Sequence, residues 1–280
     1  MKLATIRHEG STRVVRIDSD QAVLLPFLDV RELLDTGQDW PEVAGSASGP
    51  ELDTASLDYA PLVVRPEKIF GIGLNYRAHA AEAKLPVPDH PPVFSKFWRS
   101  LIGAHDVLEL PPNSEMVDWE AELGLVIGRP VRYEDPAEAE SAIAGFTVIN
   151  DVSMRDWQRR TSQFLQGKTF EKSTPVGPVM VTPDEVEDPD RMHVTCEVDG
   201  EVMQDAWTDD LVFKPAEIVS YLSQILTLVP GDLIATGTPG GVGGARRPQV
   251  YLRDGQVLTT RIEGVGEQVN RCVQLQGAES

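Results

Sequence analysis

The sequence predicts a mostly β (α+β) fold, and three observations predict it. Short runs of alternating or β-branched residues recur along the chain with Gly, Asp or Pro turns between them, the spacing of a barrel or sandwich. Only residues 215–226 carry a strong amphipathic helical pattern, with Ile218, Leu222 and Ile225 at i, i+4 and i+7 and Val219 beside them. Strands and helices do not alternate regularly, as they would in a doubly wound sheet.

In chain order, residues 1–6 and 12–17 alternate on either side of a polar turn and read as a hairpin. A weak helical patch covers residues 30–34. Residues 36–57 are rich in Gly, Asp, Pro and Ser and read as a linker, and a second, larger region begins near Pro66. Residues 68–73 form a strand ending in glycines. Residues 76–84 can form a short helix, ended by Pro86 and Pro88. Apolar strands follow at 123–127 and 145–149, then a polar helix or turn over 151–166. Residues 192–198 and 211–212 are β-rich. Strands are expected at 232–236, 250–253, 257–262 and 269–274.

With 280 residues, 41% hydrophobic and 25% charged, the chain has ordinary globular composition, which excludes coiled-coil, collagen-like and largely disordered classes. Acids outnumber bases 44 to 25, a formal charge of −19, which argues against nucleic acid or an anionic membrane surface as a partner. No apolar run approaches the ~18 residues of a membrane span. The N-terminus lacks the apolar core of a signal peptide, so a cytoplasmic location is expected. Cys196 and Cys272 match no metal or disulfide spacing.

Five segments carry residues suited to chemistry. Glu120 and Glu122, two apart on a strand, share one face, while Trp119, Ala121 and Leu123 take the other. Carboxylates that close raise a pKa unless a cation lies between them; the alternative is a solvent-facing strand in an acidic chain. Asp151 sits at the mouth of the apolar run 146–149. There it either completes an all-oxygen site for a hard divalent cation or caps the next helix. His79 and Glu82 are side by side on a helical turn, as a general base with its orienting carboxylate or as a surface ion pair. Lys168 can hold a substrate carboxylate or enolate, or be a solvated lysine. The glycine-rich residues 235–243 can turn backbone N–H groups toward an anion, or form a tight turn. Neither glycine run is a dinucleotide or Walker motif. His8, His90, His105 and His193 have no ligand-like spacing.

In this order, Gly71-Ile72-Gly73-Leu74-Asn75-Tyr76-Arg77-Ala78-His79, Glu120-Ala121-Glu122, Asn150-Asp151-Val152-Ser153-Met154-Arg155-Asp156-Trp157-Gln158, Gly167-Lys168-Thr169-Phe170 and residues 230–243 resemble the motif series of the fumarylacetoacetate hydrolase family, over residues 66–272. The resemblance implies a rolled, mixed β-sheet close to a distorted barrel over residues 61–280, preceded by a small N-terminal β domain with its linker over 1–60, usually in a homodimer. It implies Mg²⁺ or Mn²⁺ held by Glu120, Glu122 and Asp151. It implies His79, Glu82 and Lys168 as catalytic residues, and Arg155, Gln158, Thr238 and Tyr76 as substrate-binding residues.

The activity the resemblance implies first is metal-dependent hydrolysis of a C–C bond in an acylpyruvate, a small-molecule 2-oxo acid, by a water activated at His79. The alternative is a decarboxylase or isomerase of 2-oxo diacids on the same site, which needs the enolate but no attacking water. A non-catalytic β module that binds an acidic metabolite is the third reading. The chain departs from the family pattern in two places. Glu171 stands where Asp is usual, and Lys96 is followed by Phe97-Trp98-Arg99-Ser100 where Lys-Pro is frequent. Either departure could alter pocket size or charge.

Overall fold

The computed structural model describes residues 1–276, and the last four residues of the expected catalytic domain lie outside them. The chain builds two large sheets. The first has ten strands, in the spatial order Glu51–Asp53, Gln21–Leu24, Ser11–Asp18, Lys2–His8, Val179–Val181, Ile143–Asn150, Ala121–Ile127, Leu233–Ala235, Ile69–Ile72 and Val93–Ser95. The second has five, in the order Glu201–Trp207, His193–Val198, Val257–Ile262, Gly266–Gln274 and Leu108–Leu110. Both are mixed, and neither closes on itself, so among the described residues the expected barrel is an open roll of packed sheets.

The central strands are buried on both faces. Every residue of Ala121–Ile127 and Ile143–Asn150 is buried, so these strands read as continuous apolar runs rather than alternating ones. Leu123, Leu125, Val148 and Trp119 are fully buried in the main core cluster, together with Val194, Leu258 and Cys272 of the five-stranded sheet. Burial pushes the Cys272 thiol up to about 12, so it packs as a small hydrophobe. The helix Pro215–Ile225 starts on a proline, where no N–H is missed, and Glu217 accepts the Lys214 N–H at 2.7 Å. It buries Ile218, Val219 and Leu222.

The patch at 30–34 is a helix, Val30–Leu34, and residues 76–84 yield the helix Arg77–Ala83. Three expectations fail. Residues 36–57 are not a bare linker: they hold the helix Trp40–Ser46, capped by the Asp39 side chain, and the strand Glu51–Asp53 that ends the large sheet. Residues 250–253 form no strand; Tyr251 and Leu252 are buried, and the Leu252 N–H reaches the Val117 carbonyl alone. Residues 211–212 contribute only an isolated bridge from Leu211 to Tyr76. The N-terminal strands are continuous with the rest of the large sheet, because Lys2–His8 pairs antiparallel with Val179–Val181.

One topological fact positions the site. Leu233–Ala235 and Ile69–Ile72 pair in parallel, so both chains leave the sheet at the same end. Ala121–Ile127 runs antiparallel to Leu233–Ala235 and to Ile143–Asn150. Residues just after three of these strands and just before the fourth therefore meet at one edge. The strand at their centre, Ala121–Ile127, is buried at every residue. Leu125→Ala should cost about 2–5 kcal/mol in a urea or guanidinium titration, as a lower midpoint at unchanged slope.

Candidate active site

Glu120 precedes the strand Ala121–Ile127, Glu122 is its second residue, and Asp151 directly follows Ile143–Asn150. The pairing of Ala121 with Asn150 sets the two chain segments side by side, and the Asp151 N–H donates to the Glu120 carbonyl at 2.8 Å. All three carboxylates are buried, and their ligand atoms lie within 4.8 Å of one another. They stand at the foot of a cavity of about 540 Å³, whose wall includes Glu120, Glu122, Arg155, Gln158, Lys168, His79, Glu82 and Thr238. A larger cavity of about 690 Å³, beside Met1 and Trp40, holds no such cluster.

Three cations answer these charges. The Lys168 ammonium donates to Glu120 at 2.5 Å and to Asp151 at 2.6 Å. Lys96 donates to the other oxygen of Asp151 at 2.5 Å, and both partners are fully buried. Arg155 reaches Glu120 at 2.6 Å and Asp118 at 2.7 Å. Burial alone would raise the Glu120 pKa, but Lys168 and Arg155 hold it down at about 2. Burial opposes the charge on Lys168 too, yet Asp151 and Glu120 keep its pKa raised. Lys96 goes the other way: burial lowers its pKa, and the attraction of Asp151 does not fully offset this.

Glu122 differs. Among the described residues it forms no ion pair, and its carboxylate accepts a hydrogen bond from the Gly237 N–H at 2.6 Å. Burial, then Asp151 and Glu120, push its pKa well above the ordinary carboxylate range. A buried carboxylate raised by its neighbours and lacking a cation is the signature of a place for one, and an all-oxygen donor set suits Mg²⁺ or Mn²⁺. The residues fit a divalent cation on both counts.

The glycine-rich loop does bring its N–H groups to anions, and the anions are the protein's own carboxylates. Gly237 donates to Glu122, Gly241 to Glu82 at 3.1 Å, and Gly243 and Gly244 to Asp118 at 2.7 and 2.9 Å. Gly237 and Gly241 have φ of +106° and +99°, and a Cβ at Gly241 would lie 2.2 Å from the Met203 carbonyl oxygen, so only glycine serves there. Glu82 also meets His79 Nδ1 at 3.0 Å, one turn apart on the helix Arg77–Ala83, and both line the cavity.

Two expected substrate contacts are placed differently. Thr238 lines the cavity, but its hydroxyl donates to the Ala121 carbonyl and accepts from Gln204, which leaves no proton for a ligand. Tyr76 lies outside the cavity wall: its ring is fully buried, its hydroxyl has no partner among the described residues, and burial followed by Glu122 raises its pKa. Gln158 lines the cavity and accepts from Arg155 at 2.9 Å. The two departures from the family pattern meet each other, Arg99 with Glu171 at 2.5 Å, both exposed and away from the cavity, with Trp98 beneath Arg65 and Arg99.

Sequence reasoning missed Lys96, Asp118 and Gln204 as functional positions. Asp118 accepts four hydrogen bonds, from Arg155, Trp119, Gly243 and Gly244. Gln204 ties the Ala121 N–H to Thr238 and Pro239. The partners are 30 or more residues away in most of these contacts, so no local spacing could reveal them.

A strand-rich roll with a carboxylate triad at the foot of a cavity defines an enzyme fold of a recognisable class. Residues 68–273 match the family model described as "Fumarylacetoacetate (FAA) hydrolase C-terminal", and the chain belongs to the fumarylacetoacetate hydrolase family. It is 45% identical over 226 residues to bovine (Bos taurus) "Oxaloacetate tautomerase FAHD2A, mitochondrial", covering 80% of this chain and 72% of that one. Among solved structures it is similar to 5-carboxymethyl-2-hydroxymuconate delta-isomerase from Mycobacterium smegmatis, at a TM-score of 0.82 and 30% identity over 99% of this chain and 100% of the other. It is likewise similar to a fumarylacetoacetate hydrolase from Exiguobacterium antarcticum, at 0.86 and 30% over 98% and 100%.

Burial and the neighbouring carboxylates make Glu122 hold its proton more tightly than an ordinary carboxylate, and a cation bound there must displace that proton. Apparent Mn²⁺ affinity, measured by calorimetry, should therefore rise with pH. Glu122→Gln should weaken it about tenfold or more and remove most of that dependence.

Proposed function

We propose that the protein interconverts tautomers or double-bond isomers of a 2-oxo dicarboxylate, the oxaloacetate or 2-hydroxyhepta-2,4-dienedioate type. The observation that carries this is the 45% identity to a relative named an oxaloacetate tautomerase, across 80% of the chain. The isomerase among the similar structures supports it, as does a buried cluster in which four carboxylates (Asp118, Glu120, Glu122, Asp151) meet three cations, with Glu120, Glu122, Arg155 and Lys168 reaching the cavity wall.

A divalent cation held by Glu120, Glu122 and Asp151 would supply Lewis-acid polarisation of the 2-oxo group. The chain's own residues do the rest. Lys168 spends two of its three N–H donors on Glu120 and Asp151, and the third is free to meet oxygen charge as the enolate forms. Arg155, fixed by Asp118 and Glu120, keeps donors for the substrate carboxylate. His79, oriented by Glu82, is the imidazole on the cavity wall that can take a proton from C3 and return it. Its C3 proton leaves and a proton arrives at the 2-oxygen, with no bond to water formed.

The same His79–Glu82 pair favours a second reading, hydrolysis of an acylpyruvate, in which the imidazole instead activates a water. The homodimeric state, the small-molecule 2-oxo acid as partner, the absence of nucleic acid or membrane from the partners and the cytoplasmic location belong to this proposal. The acidic charge supports the exclusion of nucleic acid. No helix among the described residues is long and apolar enough to cross a membrane. The word mitochondrial in the bovine relative's name points to a different compartment.

A substrate panel separates the two chemistries. With Mg²⁺ or Mn²⁺, the protein should speed the loss of enol-oxaloacetate absorbance, and chelator should stop it. Acetylpyruvate cleavage to pyruvate without tautomerase activity would reverse the order of the readings. His79→Gln should lower kcat about 100-fold or more, and Glu120→Ala should abolish metal-dependent turnover.

A further inference from the structure

We propose that Arg159 and Arg247 form an outer subsite that receives the second carboxylate of a dicarboxylate substrate, resting on the 2-oxo diacid reading above. Both side chains line the same cavity as the carboxylate triad. They come from different segments: Arg159 caps the helix Arg155–Gln158 at its C-terminal end, and Arg247 follows the glycine-rich loop. Arg155, one helical turn before Arg159, is buried at the foot of the cavity, whereas Arg159 and Arg247 are exposed at its outer side. The cavity thus has a deep cation set and a shallow one.

The deep set, Arg155 and Lys168, is ion-paired with the site's own carboxylates Glu120, Asp118 and Asp151, and its remaining donors serve the reacting end of the substrate. The shallow set is not ion-paired. Among the described residues neither Arg159 nor Arg247 lies within salt-bridge distance of a carboxylate. Arg247 donates only to the backbone carbonyls of Ala245 and Arg246. The next arginine, Arg160, lies over the Trp157 ring at 3.4 Å and is spent there.

Gly244 keeps the way open. A Cβ there would meet Arg159 Nη2 at 3.2 Å and Arg155 Nε at 3.5 Å, so the missing side chain lets both guanidinium groups approach the same loop. A diacid chelated at the triad through one end must leave its other carboxylate somewhere along this wall. In a chain of charge −19, with Glu82 on the wall of the same cavity, that group needs a local cation. A planar guanidinium fork takes a carboxylate through two parallel N–H bonds, which an ammonium cannot do.

A matched ligand pair tests this. 2-Oxopentanedioate and 2-oxopentanoate share the 2-oxo acid end and differ by the distal carboxylate. Calorimetry in Mg²⁺ on the full chain should give the diacid at least about tenfold tighter binding. Arg159→Gln and Arg247→Gln should each shrink that ratio, and the double variant should bring it near one, while Arg159→Lys keeps part of it. No preference in the unmodified protein, or a preference that survives in the double variant, would overturn the subsite. Turnover is not the readout. A diacid preference that the unmodified protein shows and the double variant loses, in a protein without tautomerase activity, would retain the subsite and reject the 2-oxo diacid isomerase reading.

Discussion

Buried charge is the constraint on which the rest of this structure depends. Removing a carboxylate from water costs several kcal/mol unless partners replace the lost solvation. Here four carboxylates lie buried within one small volume. Compensation comes from Lys96, Lys168 and Arg155, and from backbone N–H groups of the loop that follows Leu233–Ala235. The loop needs its glycines for this reason: residues with Cβ atoms could neither adopt the required φ nor bring the amides so close. Glu122, answered by one amide alone, carries the remaining imbalance.

The same constraint orders the site from beneath. Asp118 holds Arg155 by its Nε and two successive loop amides by their N–H groups, and Arg155 then holds Glu120. Gln204, from a strand of the other sheet, bridges the start of the glutamate strand to the Thr238 loop. The triad's geometry is thereby held from beneath by Asp118 and Gln204, neither of which lines the cavity. A chain of this kind is stiff because releasing any member leaves a buried charge or amide unsatisfied.

Much of this was legible in the sequence. The apolar runs around 123–127 and 145–149 announce central strands, Glu120 and Glu122 share a face because strands have period two, and His79 and Glu82 meet because helices bring i and i+3 together. These are local rules. What escaped them was long-range: Asn75 binds the Thr236 carbonyl and both backbone groups of Phe213, and Lys96 finds Asp151 across 55 residues. The 36–57 segment misled because its Gly, Pro and Ser content hides a capped helix and an edge strand that need the rest of the sheet to form. The spacing around Thr238 likewise gave no sign that its hydroxyl, on the cavity wall, would be tied to the Ala121 carbonyl and Gln204.

The parallel pairing of Ile69–Ile72 with Leu233–Ala235 has a consequence for how such a cavity can change over time. The helix carrying His79 and the glycine-rich loop both spring from one margin of the sheet, joined there by Asn75. Residues 84–92, between that helix and the strand Val93–Ser95, are mostly exposed. Insertions or deletions there would reshape the entrance while the triad, set in the strands behind, keeps its place. Chemistry and choice of substrate are thus written on separable parts of the chain, and one can drift while the other is conserved in form.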